Sequence, residues 1–586
     1  MDNGNSERTI PAPKPTDRPT YTILLDGEEL PRQYHVLSIV VTKAVNRISR
    51  AKIVLKDGDP AAEDFEVSDT GLFIPGVRIE ILAGYHSDES AIFSGIVVKQ
   101  AIRVRQGKPS TLTVECMHEA VRMSVARRSA YYHDSTDSDA FETIAGMYSI
   151  GTDIDDTGVE HKELVQYCST DWDFIVSRAE ANGMLVLTND EKLSIKRPDF
   201  SAEPAVSLLY GATIIEFDAE TDARTQVPSV EGVSWDMANQ EVLKAEGEEP
   251  ETAEQGNLDP AELADAVGIV EDFSVRHSGS LPDDELKAWA DARLLRSRMS
   301  KIRGRARFTG LGGVNPGDIV ELKGVGGRFS GKAFVSAVRH ELGSGMWTTD
   351  AQFGLSPVWF TEERKVNPEP AAGLLPAVNG LQIGVVTKLQ DDPDGEDRVL
   401  VRMPLVSNDD DGVWARVSTL DAGDGRGAFF RPEIGDEVVL GFLNDDPRDP
   451  VILGMLNSSA KPAPITASDD NHEKGFVTRS GIRMIFNDEK KSITIETPGG
   501  KRFTMDDDAA EVTIEDENSN RLKMDSSGIT MESQADITIK AGGDIKIEGA
   551  NVTAEASAQF KAEGASGAEM STSATAVVKG ALVQIN

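Results

Sequence analysis

The residues of this chain that could do chemistry are scattered. Eight histidines occur, and no pair has the H-E-x-x-H spacing that places two imidazoles on one helix face for zinc. There is no G-x-S-x-G nucleophile elbow. Cys116 and His118 invite a thiolate–imidazole reading, but residues two apart on a strand merely share a face. His340, after Val338 in a strand-like context, reads as a packed, hydrogen-bonded residue. The run Asp391-Asp392-Pro393-Asp394-Gly395-Glu396-Asp397 has the composition of a calcium loop without its spacing, and its proline fits an acidic hairpin turn. Gly324-Val325-Gly326-Gly327 precedes no helix whose N-terminus would hold a phosphate, and Asp506-Asp507-Asp508 reads as a solvated turn. The expectation is a protein that is not an enzyme and uses no metal or cofactor.

At 586 residues the chain exceeds one core, and three to five domains follow. A net charge of −38 argues against nucleic acid or an anionic membrane surface as a standing partner. Two cysteines, Cys116 and Cys168, exclude a disulfide framework. Residues 1–20 read as a flexible arm, because Pro11, Pro13, Pro15 and Pro19 forbid regular structure. No apolar signal segment and no membrane-length apolar run is evident, so synthesis in the cytoplasm without an export signal is expected.

From Tyr21 the text alternates as strands do, through Val36-Leu37-Ser38-Ile39, Ala51-Lys52-Ile53-Val54, Val77-Arg78-Ile79 and Leu112-Thr113-Val114. Two helices interrupt: one carries the stripe Phe141, Ile144, Ala145, Tyr148, and the other, capped at Thr170-Asp171, carries Trp172, Ile175, Val176, Ala179. The acidic stretch from about Gln240 to Pro260 reads as a surface loop, and Pro282 opens a helix bearing Leu286, Trp289, Ala290 and Leu294. Pro75-Gly76 followed by Phe93-Ser94-Gly95 returns as Pro316-Gly317 followed by Phe329-Ser330-Gly331, which predicts two related β-barrels, about 21–120 and 210–370, around a mixed α/β insertion, about 121–209, within a 21–375 domain. Residues 380–457 form a five-stranded OB-like barrel, 458–475 a linker, and 476–586 a β-helical shaft.

The shaft has a period of eight. Its apolar pairs are Ile529/Met531, Ile537/Ile539, Ile545/Ile547, then one residue short Val552/Ala554, Phe560/Ala562, Ala568/Met570 and Ala576/Val578. Rungs this short cannot bury an apolar edge alone, so an axis shared with other copies is expected, with Ile529, Met531, Ile537, Ile539, Ile545, Ile547, Val552, Phe560, Met570 and Val578 as its core.

Taken in order, these pieces resemble VgrG-type spike proteins of contractile injection systems, a group spanning type VI secretion, extracellular injection particles and phage tail hub-and-needle proteins. The specific carriers are Gln166, Trp172-Asp173-Phe174, Arg178, Glu180 and Asn182-Gly183; Pro316-Gly317-Asp318 with Phe329-Ser330-Gly331 and Val338-x-His340; Trp414-Ala415-Arg416-Val417, Pro432, Gly435-Asp436-Glu437-Val438 and Asp446-Pro447; and the ending Lys579 to Asn586. The resemblance implies a homotrimer whose duplicated barrels present six similar positions to a hexameric tube of Hcp-like protein. It implies a PAAR-type tip protein seated on Leu582, Val583, Ile585 and Asn586, baseplate contacts, effector cargo, and transient passage through a target membrane. Some relatives carry an added enzymatic domain; the stretch from Ser458 to about Gly475 is too short for one, and the chain stops eight residues after Val578. A trimeric tailspike or adhesin that binds or cleaves surface polysaccharide is the competing reading, and octads leave no groove for its paired carboxylates.

Overall fold

The computed structural model describes residues 18–189, 191–268 and 273–585. The chain divides into two compact units: one runs to Val378 and takes in Asn444–Asp446, and the other holds the rest. The fold is mainly β, with a closed five-stranded barrel.

The first unit is built on a 13-stranded sheet. Its leading part contains Pro19–Leu25, Val36–Ala44, Arg47–Lys56, Arg78–Tyr85, Asp88–Arg103 and Thr111–Met117, so strand begins two residues before Tyr21. Alternation places Ile39, Val41, Ile53, Leu55, Ile79, Ile81, Leu112 and Val114 inside, each with at most 1% of its surface exposed. The second part contains Val206–Leu209, Ile214–Thr221, Ile302–Thr309, Ile319–Lys323, Gly331–Gly343 and Met346–Phe353 around Leu208, Phe308, Val320, Leu322, Val338 and Phe353. The two cores share one sheet because Gly331–Gly343 pairs antiparallel with Val36–Ala44, from Ala337 opposite Ala44 to Gly343 opposite Ser38.

The Pro-Gly repeat is structural. Gly76 and Gly317 both take positive φ, 106° and 99°, as the third residue of a type II turn requires. The same bonds surround each: Val77 N donates to Ile74 O, Gly76 N to Val97 O, and Val97 N to Val77 O; Asp318 N donates to Asn315 O, Gly317 N to Val335 O, and Val335 N to Asp318 O. The Phe-Ser-Gly triplets are not equivalent in that frame. Phe93 and Gly95 lie inside the Asp88–Arg103 strand, whereas Phe329 sits in a turn and Gly331 starts a strand. Gly95 stands two residues before Val97, but Gly331 stands four before Val335.

The insertion packs helices Asp137–Met147 and Asp171–Ala181 over a third core. Thr136 and Thr170 cap them, accepting from Asp139 N and Asp173 N. Phe141, Ile144 and Ala145 are buried as their spacing predicts, and Tyr148 closes the turn by donating its hydroxyl to Asp171 at 2.6 Å. The stretch expected to loop from Gln240 differs: Glu241–Glu246 is a strand, pairing Glu231–Asp236 in a three-stranded sheet with Ser274–Arg276. Ala245 faces inward under helix Asp283–Met299, while Val242 pairs with Trp235 outside, so a short alternation was hidden by acidic neighbours. A further helix, Pro260–Val267, follows.

In the second unit, Gln382–Lys388, Val399–Arg402, Val413–Val417, Glu437–Phe442 and Pro450–Met455 close into a barrel around Val386, Val399, Val401, Ala415, Val438, Leu440 and Ile452. The acidic run at 391–397 is a turn organised by Asp392, whose carboxylate accepts from Asp394 N, Glu396 N and Arg398 N and pairs with the Arg398 guanidinium at 2.6 Å.

Candidate assembly interface

After the barrel the chain forms a blade of seven short antiparallel strands: Glu473–Val477, Arg483–Asn487, Ser492–Glu496, Arg502–Asp506, Glu511–Glu515, Arg521–Asp525 and Gly528–Glu532. The ladder bonds of these seven strands run within the chain. The cause is local: turns of a few residues rich in Asp, Asn and Gly, such as Asp525-Ser526-Ser527-Gly528, return each strand onto the last.

The register lines up one face. Phe476, Met484, Ile495, Phe503, Ile514, Leu522 and Met531 stand opposite one another in one unbroken cross-strand row. Phe486, Ile493, Met505, Val512, Met524 and Ile529 form a second row two residues away on the same face. The opposite face carries Thr494, Thr504, Thr513, Lys523 and Thr530. The apolar face is partly open: Phe430 stacks on Phe476 at 5.1 Å and Met484, Phe486, Ile493, Phe503, Val512 and Leu522 are half-buried, but Phe476, Ile495, Met505, Ile514 and Met524 keep 38–47% of their surface and Ile529 keeps 71%. A contiguous apolar surface of this extent marks an interface.

Residues 533–585 contain no strand, and among the described residues no backbone–backbone hydrogen bond forms within them. The segment is nevertheless regular. Bends fall at 534–535, 542–543, 550, 557–558, 565–566, 573–574 and 581–582, eight residues apart except for seven between 550 and 557. That short step coincides with the one between Ile545 and Val552 in the sequence. Ile537, Ile539, Ile545, Ile547, Val552, Phe560, Met570 and Val578 are all at least half exposed, as is Met531 in the blade. At the end, Leu582 is 83% exposed, Ile585 90% and Val583 48%; Asn586 lies outside the described residues. Along this segment a backbone without ladder bonds runs beside evenly spaced, exposed apolar side chains.

The residues weighed for chemistry lie elsewhere and apart. Cys116 is fully buried and its thiol is pushed up to about 12 by that burial and by Glu115. His118 Nδ1 accepts from Ala120 N and caps a short 3-10 turn. His340 is buried against Trp347 and bonded to Thr349 Oγ1, and burial with the nearby Lys43 charge lowers it to about 3. Among the described residues, no group of three or more His, Cys, Asp or Glu side chains is placed to hold a metal ion.

The motif around Arg178 is an internal polar network. Arg178 forks onto Asp137 at 2.7 and 2.8 Å and reaches Glu285 at 3.0 Å; His161 Nε2 and Asn182 Nδ2 also meet Asp137. Burial pushes the Asp137 carboxyl up, but the bonds from His161, Arg178 and Asn182 outweigh it and hold it well below the carboxylate range. Glu180 accepts from Asn46 Nδ2 and Phe360 N, and Gln166 bridges Tyr132 and Asp171. Sequence spacing marked Arg178 and Asn182 but not Asp137, His161 or Glu285, which the fold gathers from separate elements.

Residues 15–344 match the family described as Alg8 N-terminal domain, more than half of the chain. Residues 382–456, the closed barrel, match the type VI secretion system/phage-baseplate injector OB domain. The type VI secretion system spike protein VgrG3 of Vibrio cholerae is 31% identical over 151 residues, 25% of this chain but only 14% of that protein. Among solved structures, a tail protein of Neisseria meningitidis aligns with a TM-score of 0.44 at 15% identity, over 58% of this chain and 98% of its own. The E. coli c3393 protein, a type VI secretion component, aligns at 0.37 and 12% identity, over 74% of this chain and 99% of its own. The chain belongs to the Alg8 N-terminal domain family, and with its injector OB domain it is similar to the VgrG-type spike proteins of contractile injection systems.

Proposed function

We propose that this chain is one of three identical protomers forming the central spike of a contractile injection apparatus. The observation that carries this is the pairing of a partly open apolar blade with a regular, unbonded octad segment after it. Three blades laid apolar face to apolar face bury both rows, and three octad segments wound together supply one another's ladder bonds. Load on such a shaft is shared by many parallel bonds, as piercing on sheath contraction requires.

In the first unit, the duplicated Pro-Gly frame gives a trimer six related barrel edges, matching a hexameric Hcp-like tube that the hub caps at the baseplate. Leu582, Val583 and Ile585, all exposed or nearly half exposed, form the platform for a PAAR-type tip protein. The spike has no catalytic activity of its own and acts by position and stiffness, with effector cargo carried by association. It is made in the cytoplasm and leaves the cell as part of the particle.

The test is to label the chain in its producing organism and image the sheathed particles. Label at the baseplate end, with particles lacking residues 529–586 assembled but unable to deliver, supports the reading. Label absent from particles, or purified protein that binds or degrades surface glycans, sinks it in favour of a tailspike.

A further inference from the structure

One cavity in the first unit has a charge opposite to that of the molecule. Its floor is the outer face of Val36–Ala44 and Arg47–Lys56, where Arg50 stands opposite Thr42. Its walls are Trp172 and Asp173, from the start of the Asp171–Ala181 helix, and Phe360, Arg364 and Lys365. The volume is about 670 Å³, a size that admits a small ligand or a few residues of peptide.

Four cations line it, Arg47, Arg50, Arg364 and Lys365, against the single carboxylate of Asp173. Two of the four are committed: Arg47 pairs with Glu363, and Lys365 with Glu369 at 2.6 Å. The guanidiniums of Arg50 and Arg364 have no hydrogen-bond or ion-pair partner among the described residues. Arg47, which lies over the Phe360 ring at 5.7 Å, has its Nη1 buried without an acceptor. That nitrogen is closed off, and the groups open to an incoming acceptor are the exposed guanidiniums of Arg50 and Arg364.

We propose that this cavity docks a carboxylate-rich peptide segment of a partner protein. Guanidinium forks match planar carboxylates two bonds at a time, and Trp172 and Phe360 supply apolar wall for the stems of the incoming side chains. A net charge of −38 disfavours such a segment over most of the molecule, and a cavity with two unpaired guanidiniums offsets that locally. This site is independent of the shaft and of the spike role.

The experiment titrates the full-length protein with fluorescein-labelled hexaglutamate, with hexaglutamine and inorganic phosphate as comparison probes, at low and at physiological salt. Hexaglutamate is expected to bind, more weakly as salt rises, and hexaglutamine not to bind. Arg50→Gln with Arg364→Gln should weaken binding at least tenfold, while Arg105→Gln, an exposed arginine on a distant loop, leaves it unchanged. Both substituted side chains are exposed and unpaired, so an unchanged melting curve accompanies the loss. Failure of hexaglutamate to bind, or an equal loss in Arg105→Gln, overturns the proposal. Displacement by phosphate at matched charge also overturns it, in favour of a free-anion site.

Discussion

Between Pro19 and Phe360 the chain buries its apolar rows under elements of its own, whereas between Glu473 and Ile585 it leaves apolar rows partly open and, beyond Glu532, a backbone without ladder bonds. The Asp137 network draws five side chains from four elements into one bonded cluster. The octads do the reverse, presenting the same unsatisfied edge at each bend. On the proposed reading one region is finished by folding and the other by association, so substitutions in the two should register in different measurements.

The largest effect is expected at the axis. Ile537→Asp places three carboxylates around one centre, at a cost on the order of several kcal/mol for each. Assembly into SDS-resistant trimers should be lost while the melting of the hub is unchanged; trimers that survive break the comparison. Next is the pH response of the hub through His340. Its folded pKa lies near 3 and its unfolded value near 6.5, so the unfolded chain takes up the proton first. Stability is full above about pH 7 and declines as pH falls through 6.5 toward 3, by roughly 5 kcal/mol at most. His340→Gln should flatten that part of the pH–stability curve, read by urea melts of the hub.

Arg178→Leu leaves Asp137 and Glu285 facing each other in the interior and should cost the hub about 3–5 kcal/mol without changing the oligomeric state. Gly76→Ala and Gly317→Ala each force a β-carbon into positive φ, at about 1–2 kcal/mol. The two losses should be similar if the turns are copies; a Cβ at Gly76 meets nothing within 4 Å, and one at Gly317 meets only the tip of Leu187 at 3.1 Å. The smallest effect belongs to Leu582→Asp: within about 0.5 kcal/mol on either unit, with the consequence confined to capture of a tip protein.

Much of this contrast was legible in the residues. Period gave the octads and even their short step, because one residue per bend is visible without any partner. The stripes Phe141-Ile144-Ala145 and Trp172-Ile175-Val176-Ala179 marked helices because burial on one face is a local property of spacing. What was hidden depends on distant pairing. The Glu241–Glu246 strand has only Val242, Leu243 and Ala245 to signal it, and becomes strand through Glu231–Asp236 and a helix some forty residues on. The Phe-Ser-Gly triplets matched as text but fall in different hydrogen-bond frames. The blade's hairpins looked like further rungs because both patterns alternate with period two, and only turn closure separates them.

The most direct test of the central claim is sedimentation equilibrium of the full-length protein in dilute solution. A mass of about three times the 63.2 kDa chain, falling to one chain for Ile537→Asp, is the result predicted. A folded, stable species at the mass of a single chain would contradict the account.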